Sequence, residues 1–281
     1  MMVQQILDHH RTTGEDGAMV FLDQEKAYDK VDRRYLEKCL IKFGVGPRWR
    51  TGAECLLTGL SARVLVNGFQ SNTLEVQQGV PQGDPLSPVL YDLAVEPLLC
   101  YLRNKLKGLP LGGHPFQCSA FADDIAVGLA DEEDQRVLLK GLQLHEKACN
   151  AKLNLDKSEF LPLSLASETG IPAVGKPLPR DKVFSHLGIP FHPQAFPLPD
   201  GWFNSLIDKF QATVASWQKR KLSLAGKVLV LNSRLLSKVW YLGYHVSFPP
   251  PLLQTAQQNC IWISVGWQAG PNSSGYSTSC S

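Results

Sequence analysis

No two cysteines of the 281-residue sequence stand in a CxxC spacing, and the seven present (39, 55, 100, 118, 149, 260 and 280) are scattered and odd in number. That argues against a zinc site or a disulfide framework and for a reducing compartment. No apolar run approaches the roughly 18 residues of a membrane-crossing helix, and no signal peptide opens the chain. An intracellular, soluble protein without membrane contact is therefore expected. Excess charge is also scarce: 28 basic against 26 acidic residues leave a net +2, too little to announce a nucleic-acid partner. With 44% hydrophobic and 19% charged residues the chain is neither disordered nor fibrous. Its length allows one or two domains with a real core.

The distribution of charge says more than its sum. From Lys209 to Lys238 there are seven basic residues (Lys209, Lys219, Arg220, Lys221, Lys227, Arg234, Lys238) and no acid, with Trp217 and Trp240 interleaved. Such a stripe suits a phosphate backbone, because Lys and Arg displace condensed counterions. A solvated helix face has the same appearance.

Along the chain, Ala18–Leu22 reads as a short buried strand ending at Asp23. Asp32 caps a helix that presents Tyr35, Leu36, Cys39, Leu40 and Phe43, and Gly44 stops it. Pro47 suits the first position of a second helix. Strands 62–66 and 73–76 flank the turn signal Asn67-Gly68. Ser87-Pro88 reads as the cap and first turn of a helix carrying Leu90, Leu93, Leu98, Leu99 and Leu102. After a Gly-rich loop (108–115), arms 116–121 and 125–129 form a hairpin with Ala122-Asp123-Asp124 at its tip, and Asp131 caps a helix to about Asn150. The stretch 162–179 is Pro-rich and irregular, and 183–191 reads as a strand pair or edge strand. A second Pro-rich break, 192–201, sets a domain boundary before the basic helical segment. The Ser/Gly-rich end is expected to be disordered.

Three segments carry the chemistry. Phe21-Leu22-Asp23-Gln24-Glu25-Lys26-Ala27-Tyr28-Asp29 places an acid at the end of a buried strand. Gln78-Gly79-Val80-Pro81-Gln82-Gly83-Asp84-Pro85-Leu86-Ser87-Pro88 is a polar loop leading into a helix, and Phe121-Ala122-Asp123-Asp124 puts two carboxylates on a hairpin tip. Adjacent like charges raise each other's proton affinity, so a tight turn between apolar strands should avoid them. Divalent cations remove the objection. Hard oxygen ligands favour Mg²⁺, and two ions can clamp the attacking and leaving oxygens of an in-line phosphoryl displacement. Taken singly, each segment is also explained as ordinary turn or loop chemistry.

Together, in this order, the segments resemble motifs A, B and C of reverse transcriptases. Leu153-Asn154-Leu155-Asp156-Lys157-Ser158 resembles motif D, and His186-Leu187-Gly188-Ile189-Pro190-Phe191 resembles the primer-grip motif E. The later run from Trp217 to Pro249 is similar to the thumb region of LINE-like, non-LTR retrotransposon enzymes. The resemblance covers roughly residues 1–265. It implies an α/β (α+β) fold: a right-hand polymerase palm, residues 1–191, with a small antiparallel sheet flanked by helices. A helical thumb, 192–265, and a disordered tail, 266–281, would follow. The implied activity is RNA-directed DNA polymerisation on an RNA template with a DNA primer and dNTPs, in the nucleus, using two Mg²⁺ ions or Mn²⁺ in their place.

Residue by residue, the resemblance makes Asp23, Asp123 and Asp124 the metal-bearing carboxylates. Tyr28 becomes the steric gate against a ribose 2′-hydroxyl; a core aromatic would look the same. Gln82, Gly83 and Phe121 would contact the incoming nucleotide or template, with Gly79 and Gly83 allowing close backbone approach. Lys157 would donate a proton to departing pyrophosphate, though a solvated lysine fits as well. Leu187 and Gly188 would hold the primer end, and Lys219, Arg220 and Lys221 would track the duplex backbone.

The sequence departs from the family pattern at both ends. It begins about twenty residues before motif A, so the family's fingers are expected to be missing and the isolated chain inactive. After Trp262 it no longer resembles the family. A remnant or domesticated palm that binds nucleic acid without catalysis is the rival reading, and an intron-encoded maturase is a third.

Overall fold

The computed structural model describes residues 2–163, 174–194, 197–250 and 253–254, which divide into two compact units meeting at Arg180/Asp181. The tail 266–281 and the centre of the first Pro-rich stretch lie outside the described residues. The second Pro-rich break, 192–201, falls within the second unit.

In the first unit an amphipathic helix α1 (Met2–Thr13), which no capping residue announces in the sequence, buries Val3, Ile6, Leu7 and His10. Strand β1 (Ala18–Leu22) follows, then the two-residue β2 (Gln24–Glu25) and the single turn α2 (Ala27–Lys30). Asp32 caps α3 (Arg33–Lys42), its carboxylate accepting the Tyr35 N–H at 2.8 Å, and Gly44 closes it at φ 75°. Helix α4 (Pro47–Leu57) starts on its proline. Asn67 and Gly68, at φ 50° and 85°, turn a hairpin whose arms are split in two: β3 (Ser61–Ala62) pairs with β6 (Leu74–Glu75), and β4 (Leu65–Val66) with β5 (Phe69–Gln70).

Helix α5 (Ser87–Lys105) buries Leu90, Tyr91, Ala94, Val95, Leu98, Leu99 and Leu102, a 3.6-residue period over the whole helix. Its start is held differently from expectation. The Asp84 carboxylate accepts the Leu86 N–H at 2.7 Å, while the Ser87 hydroxyl is buried with no hydrogen-bond partner. The Gly-rich stretch expected as a loop forms a small hairpin, β7 (Leu109–Leu111) against β8 (His114–Phe116), turning at Gly112-Gly113. A second hairpin joins β9 (Cys118–Phe121) to β10 (Asp124–Leu129), and Asp131 caps α6 (Glu132–Cys149). On α6, Asp134 is buried and accepts three backbone N–H groups, from Lys107, Gly108 and Ala130, so this acid is structural. Short strands β11 (Lys152–Leu153), β12 (Glu159–Pro162) and β13 (Lys176–Pro177) complete the unit.

The main sheet runs β13-β12-β1-β10-β9. β1 is central and antiparallel to both neighbours, and only the short edge strand β13 pairs parallel. One face (Val20, Leu22, Ile125, Val127, Leu129) packs into a core with α3, α5 and α6. Met19, Ala126 and Leu161, of opposite parity, are also fully buried. A strand buried on both faces reads as continuous apolar sequence, which is why Ala18–Leu22 was legible.

The second unit contains the hairpin β14 (Phe184–His186) and β15 (Ile189–Phe191), then α7 (Asp200–Gln218) and α8 (Leu224–Val230). A π-helical turn over Leu231–Leu236 leads into α9 (Ser237–Gly243). Ser223 caps α8 through its hydroxyl, at 3.2 Å from the Gly226 N–H. Among the described residues, no helix is long and apolar enough to cross a membrane.

Candidate functional site

The ladder between β1 and β10 ends at Leu22↔Ile125, and the next step of that register sets Asp23 beside Asp124. The β9–β10 hairpin has a two-residue tip, Ala122-Asp123, because Phe121 already pairs with Asp124; Ala122 takes the required positive φ of 52°. The chain thus brings a strand end and a hairpin tip together across 100 residues of sequence. Asp23 and Asp123 are half-buried, and Asp124 is exposed.

Asp23 is held by its backbone. Its N–H donates to the Ser158 hydroxyl at 3.1 Å, and its carbonyl accepts the Asn154 N–H at 2.9 Å. Pairing of β2 with β11, through Leu153↔Gln24 and Lys152↔Glu25, continues this attachment. The Lys157 N–H reaches the Asn154 carbonyl at 3.2 Å, and the Lys157 side chain is exposed. So the loop bearing Lys157 is physically tied to Asp23.

Tyr28 stacks on Tyr91 with ring centroids 4.7 Å apart and planes 15° from parallel. Tyr91 is fully buried and donates its hydroxyl to Gln24 Oε1 at 3.0 Å. Burial first, then the carboxylates of Asp123 and Asp92, hold the Tyr28 phenol above its usual range. Burial and Asp123 push Tyr91 in the same direction. The charge of Asp123 thus opposes ionisation of both tyrosines.

The loop 78–84 is fastened to the same place. Gly79 N–H donates to the Val31 carbonyl and Val80 N–H to the Tyr28 carbonyl, each at 2.9 Å, and Arg33 Nε–H donates to the Gly79 carbonyl at 3.0 Å. Gly79 sits at φ 80°, and a Cβ there would lie 2.7 Å from the Tyr28 and Asp29 backbone. The expectation that Gly79 lets a ligand approach is thereby corrected: the neighbour it admits is the protein's own chain. Gly83, at φ 89°, faces open space, and Gln82 is exposed beside it. Phe121 is 70% exposed at the end of β9.

Among the described residues no three His, Cys, Asp or Glu side chains converge into a ready-made metal cluster. Magnesium does not require one, since it binds through one or two carboxylates and completes its octahedron with phosphates and water. The hard donors at the strand end and hairpin tip are of that class. Gln24, Tyr91, Asn154 and Ser158 are not evident as site residues from the sequence. Gln24 lies in the first of the quoted segments and Asn154 and Ser158 in the one resembling motif D, but their roles depend on partners 67 to 135 residues away.

In the second unit, Leu187 and Gly188 form the tip of the β14–β15 hairpin at φ 52° and 73°. The Tyr241 hydroxyl donates to the Leu187 carbonyl, fixing the tip to α9. Lys219, Arg220 and Lys221 are exposed at the C-terminus of α7, where cations also complement the helix dipole. The Arg220 guanidinium lies 4.3 Å from the Trp217 ring centroid. Lys209, Arg234 and Lys238 border a groove of about 110 Å³ floored by Leu206, Phe210, Leu235 and Leu242.

Known proteins are similar to this chain. A family model described as reverse transcriptase (RNA-dependent DNA polymerase) matches residues 2–245. The transposon TX1 uncharacterized 149 kDa protein of Xenopus laevis is 30% identical over 274 residues, 95% of this chain and 21% of that protein. The retrovirus-related Pol polyprotein from type-1 retrotransposable element R2 of Popillia japonica is 24% identical over 254 residues, 86% of this chain and 41% of that protein. The chain thus spans between about a fifth and two fifths of the length of these two relatives. A telomerase structure from Candida tropicalis, in complex with the TWJ fragment of telomeric RNA, aligns with TM-score 0.49 at 11% identity, over 94% of this chain and 46% of that one.

Proposed function

The chain belongs to the reverse transcriptase (RNA-dependent DNA polymerase) family, and from that premise we propose that its first unit carries the nucleotidyl-transfer centre of a non-LTR retrotransposon enzyme. The reading rests on one observation above all: the β1–β10 register that sets Asp23 beside the Ala122-Asp123 hairpin tip. Asp23 and Asp123, with Asp124 alongside, would hold two Mg²⁺ ions, or Mn²⁺. When bound, the ions neutralise charge on the phosphates and on the attacking and leaving oxygens.

The chain's own residues supply position. The half-buried Tyr28 ring, backed by Tyr91, bars a 2′-hydroxyl and so selects dNTPs. Gln82, Gly83 and Phe121, all exposed, line the approach of nucleotide and template. Lys157 is the proton donor to the leaving pyrophosphate, on a loop anchored to Asp23. In the second unit, Leu187 and Gly188 hold the primer end, while Lys219, Arg220 and Lys221 follow the duplex backbone through phosphates. Residues 1–191 then serve as palm and 192–265 as thumb, acting on an RNA template and a DNA primer in the nucleus.

Replacing Asp123 by Asn tests the assignment. Losing one charged ligand removes transition-state stabilisation without touching template contacts, so with the chain fused to the fingers of a related reverse transcriptase, primer extension on an RNA template should fall at least about a hundredfold. Template affinity by fluorescence anisotropy should stay within about twofold. Undiminished extension would remove Asp123 from the centre. Equal loss of binding would mean a folding defect or a purely nucleic-acid-binding palm.

A further inference from the structure

We infer that Ser158 is a positioning residue that sets the Asp23 carboxylate for metal binding, an inference that rests on the assignment of Asp23 as a ligand. β1 stops pairing with β10 at Leu22, so Asp23 is the first residue beyond that ladder. What fixes it instead is a closed ring of hydrogen bonds. The Asp23 N–H donates to Ser158 Oγ at 3.1 Å, and Ser158 Oγ–H donates to the Asn154 carbonyl at 2.8 Å. The Asn154 N–H donates back to the Asp23 carbonyl at 2.9 Å. Both backbone polar groups of Asp23 are thereby held by one turn of chain, and the hydroxyl is the single side-chain link in the ring.

Ser158 is suited to this by burial and by complete satisfaction of its polar atoms. It is 0% exposed. Its N–H donates to the Asn154 carbonyl and its own carbonyl accepts the Lys176 N–H, each at 2.8 Å. Gly175 backs it so closely that a Cβ at that position would meet the Ser158 carbonyl oxygen at 2.3 Å. The hydroxyl is buried and bonded on both sides, so the Asp23 N–H meets an acceptor whose proton is already committed to Asn154. Alanine at 158 would leave that N–H without its acceptor and free the carboxylate to wander. Partners that hydrogen-bond a ligating side chain change metal affinity about 10- to 100-fold when removed, and a partner acting through the ligand's backbone is expected at the lower end of that range.

The test measures Mn²⁺ affinity of the full chain by electron paramagnetic resonance of the free ion, which requires no turnover. Ser158→Ala should weaken Mn²⁺ binding about tenfold, and Ser158→Thr, which keeps the hydroxyl, should stay within about twofold of wild type. Leu161→Ala, a fully buried truncation on β12, three residues beyond Ser158, serves as a destabilised control that leaves the ring intact. Ser158→Ala binding no weaker than this control overturns the positioning role. Asp23→Asn should itself reduce Mn²⁺ binding. If it does not, the ligand assignment fails at its root, and the role of Ser158 falls with it.

Discussion

The carboxylate centre of the first unit and the basic cluster of the second keep their candidate functional groups by opposite means. In the first, Asp23, Tyr28 and the loop 78–84 are each located by hydrogen bonds or ring contacts to distant segments, several at 2.8–3.1 Å. In the second, Lys219, Arg220 and Lys221 stand exposed on the end of one helix, with a single aromatic contact from Arg220 to Trp217. The difference follows from the tasks proposed. Displacing reacting atoms by about 1 Å can cost on the order of a hundredfold in rate, so groups at a reacting phosphorus must be locked. Attraction of a polyanion depends on how many charges face it and tolerates loose side chains.

The largest effect expected to sharpen this contrast concerns the locked unit's core. His145 is buried, its Nε2 lies 3.2 Å from Cys149 Sγ, and burial depresses its pKa from 6.5 to about 4. Between those values the unfolded chain binds more protons than the folded one, so acid favours unfolding. The contribution is whole above pH 6.5 and is lost as the pH falls toward 4. Each tenfold difference in proton affinity between the folded and unfolded chain is worth about 1.4 kcal/mol, so the loss amounts to about 3 kcal/mol. Denaturant titrations at pH 7 and pH 4 should show wild type losing about that much more stability than His145→Gln. Parallel curves would mean the imidazole is not kept neutral by burial.

A smaller effect distinguishes the gate from its support. Tyr28→Val removes the ring that meets the 2′-position and should raise the ratio of rNTP to dNTP incorporation on the order of tenfold. Tyr91→Leu leaves Tyr28 in place but removes the surface it stacks on and the hydroxyl bonded to Gln24. It should relax the same ratio by a lesser factor. A steady-state comparison of the two nucleotides, made in the same fingers-bearing fusion, reads both variants. If neither changes the ratio, the Tyr28–Tyr91 pair is a packing feature of the core.

What could be read in the sequence follows from how local each signal is. Asp32, Gly44, Pro47, Asn67-Gly68 and Asp131 announce helix ends and a turn because their chemistry acts within a few residues, and each stands where it was expected. The buried run Ala18–Leu22 was legible for the same reason. The resemblance to reverse transcriptase motifs is borne out by the family match, and the β1–β10 register ends one residue short of Asp23 and of Asp124. What stayed hidden is non-local. Ser158 acts on Asp23 from 135 residues away, and Gln24 meets Tyr91 across 67. Gly112-Gly113 turns a hairpin where only a loop was expected, since glycines mark a reversal without saying whether its arms pair. Asp84 displaced Ser87 as the support for α5 because a carboxylate two residues before Leu86 reaches its N–H, while Ser87 is turned into the core.

The smallest effect bears on the loosely held unit, and it is the one that separates function from helix chemistry. Lys219, Arg220 and Lys221 sit where a helix C-terminus welcomes cations, so their presence is explained without any ligand. If that is their whole role, neutralising them costs at most a few tenths to about 1 kcal/mol of stability and leaves nucleic-acid binding unchanged. If they contact phosphates, each lost contact should lower the slope of log affinity against log salt by about 0.7 to 0.9, whatever the base sequence. The variant Lys219→Gln/Arg220→Gln/Lys221→Gln, titrated with an RNA–DNA hybrid at several salt concentrations, decides between them. A slope reduced by about 2 and a several-fold weaker affinity near physiological salt are expected. Identical slopes would return the cluster to the helix end, and the exposed cations bordering the groove, Lys209, Arg234 and Lys238, would become the next phosphate-binding candidates to neutralise.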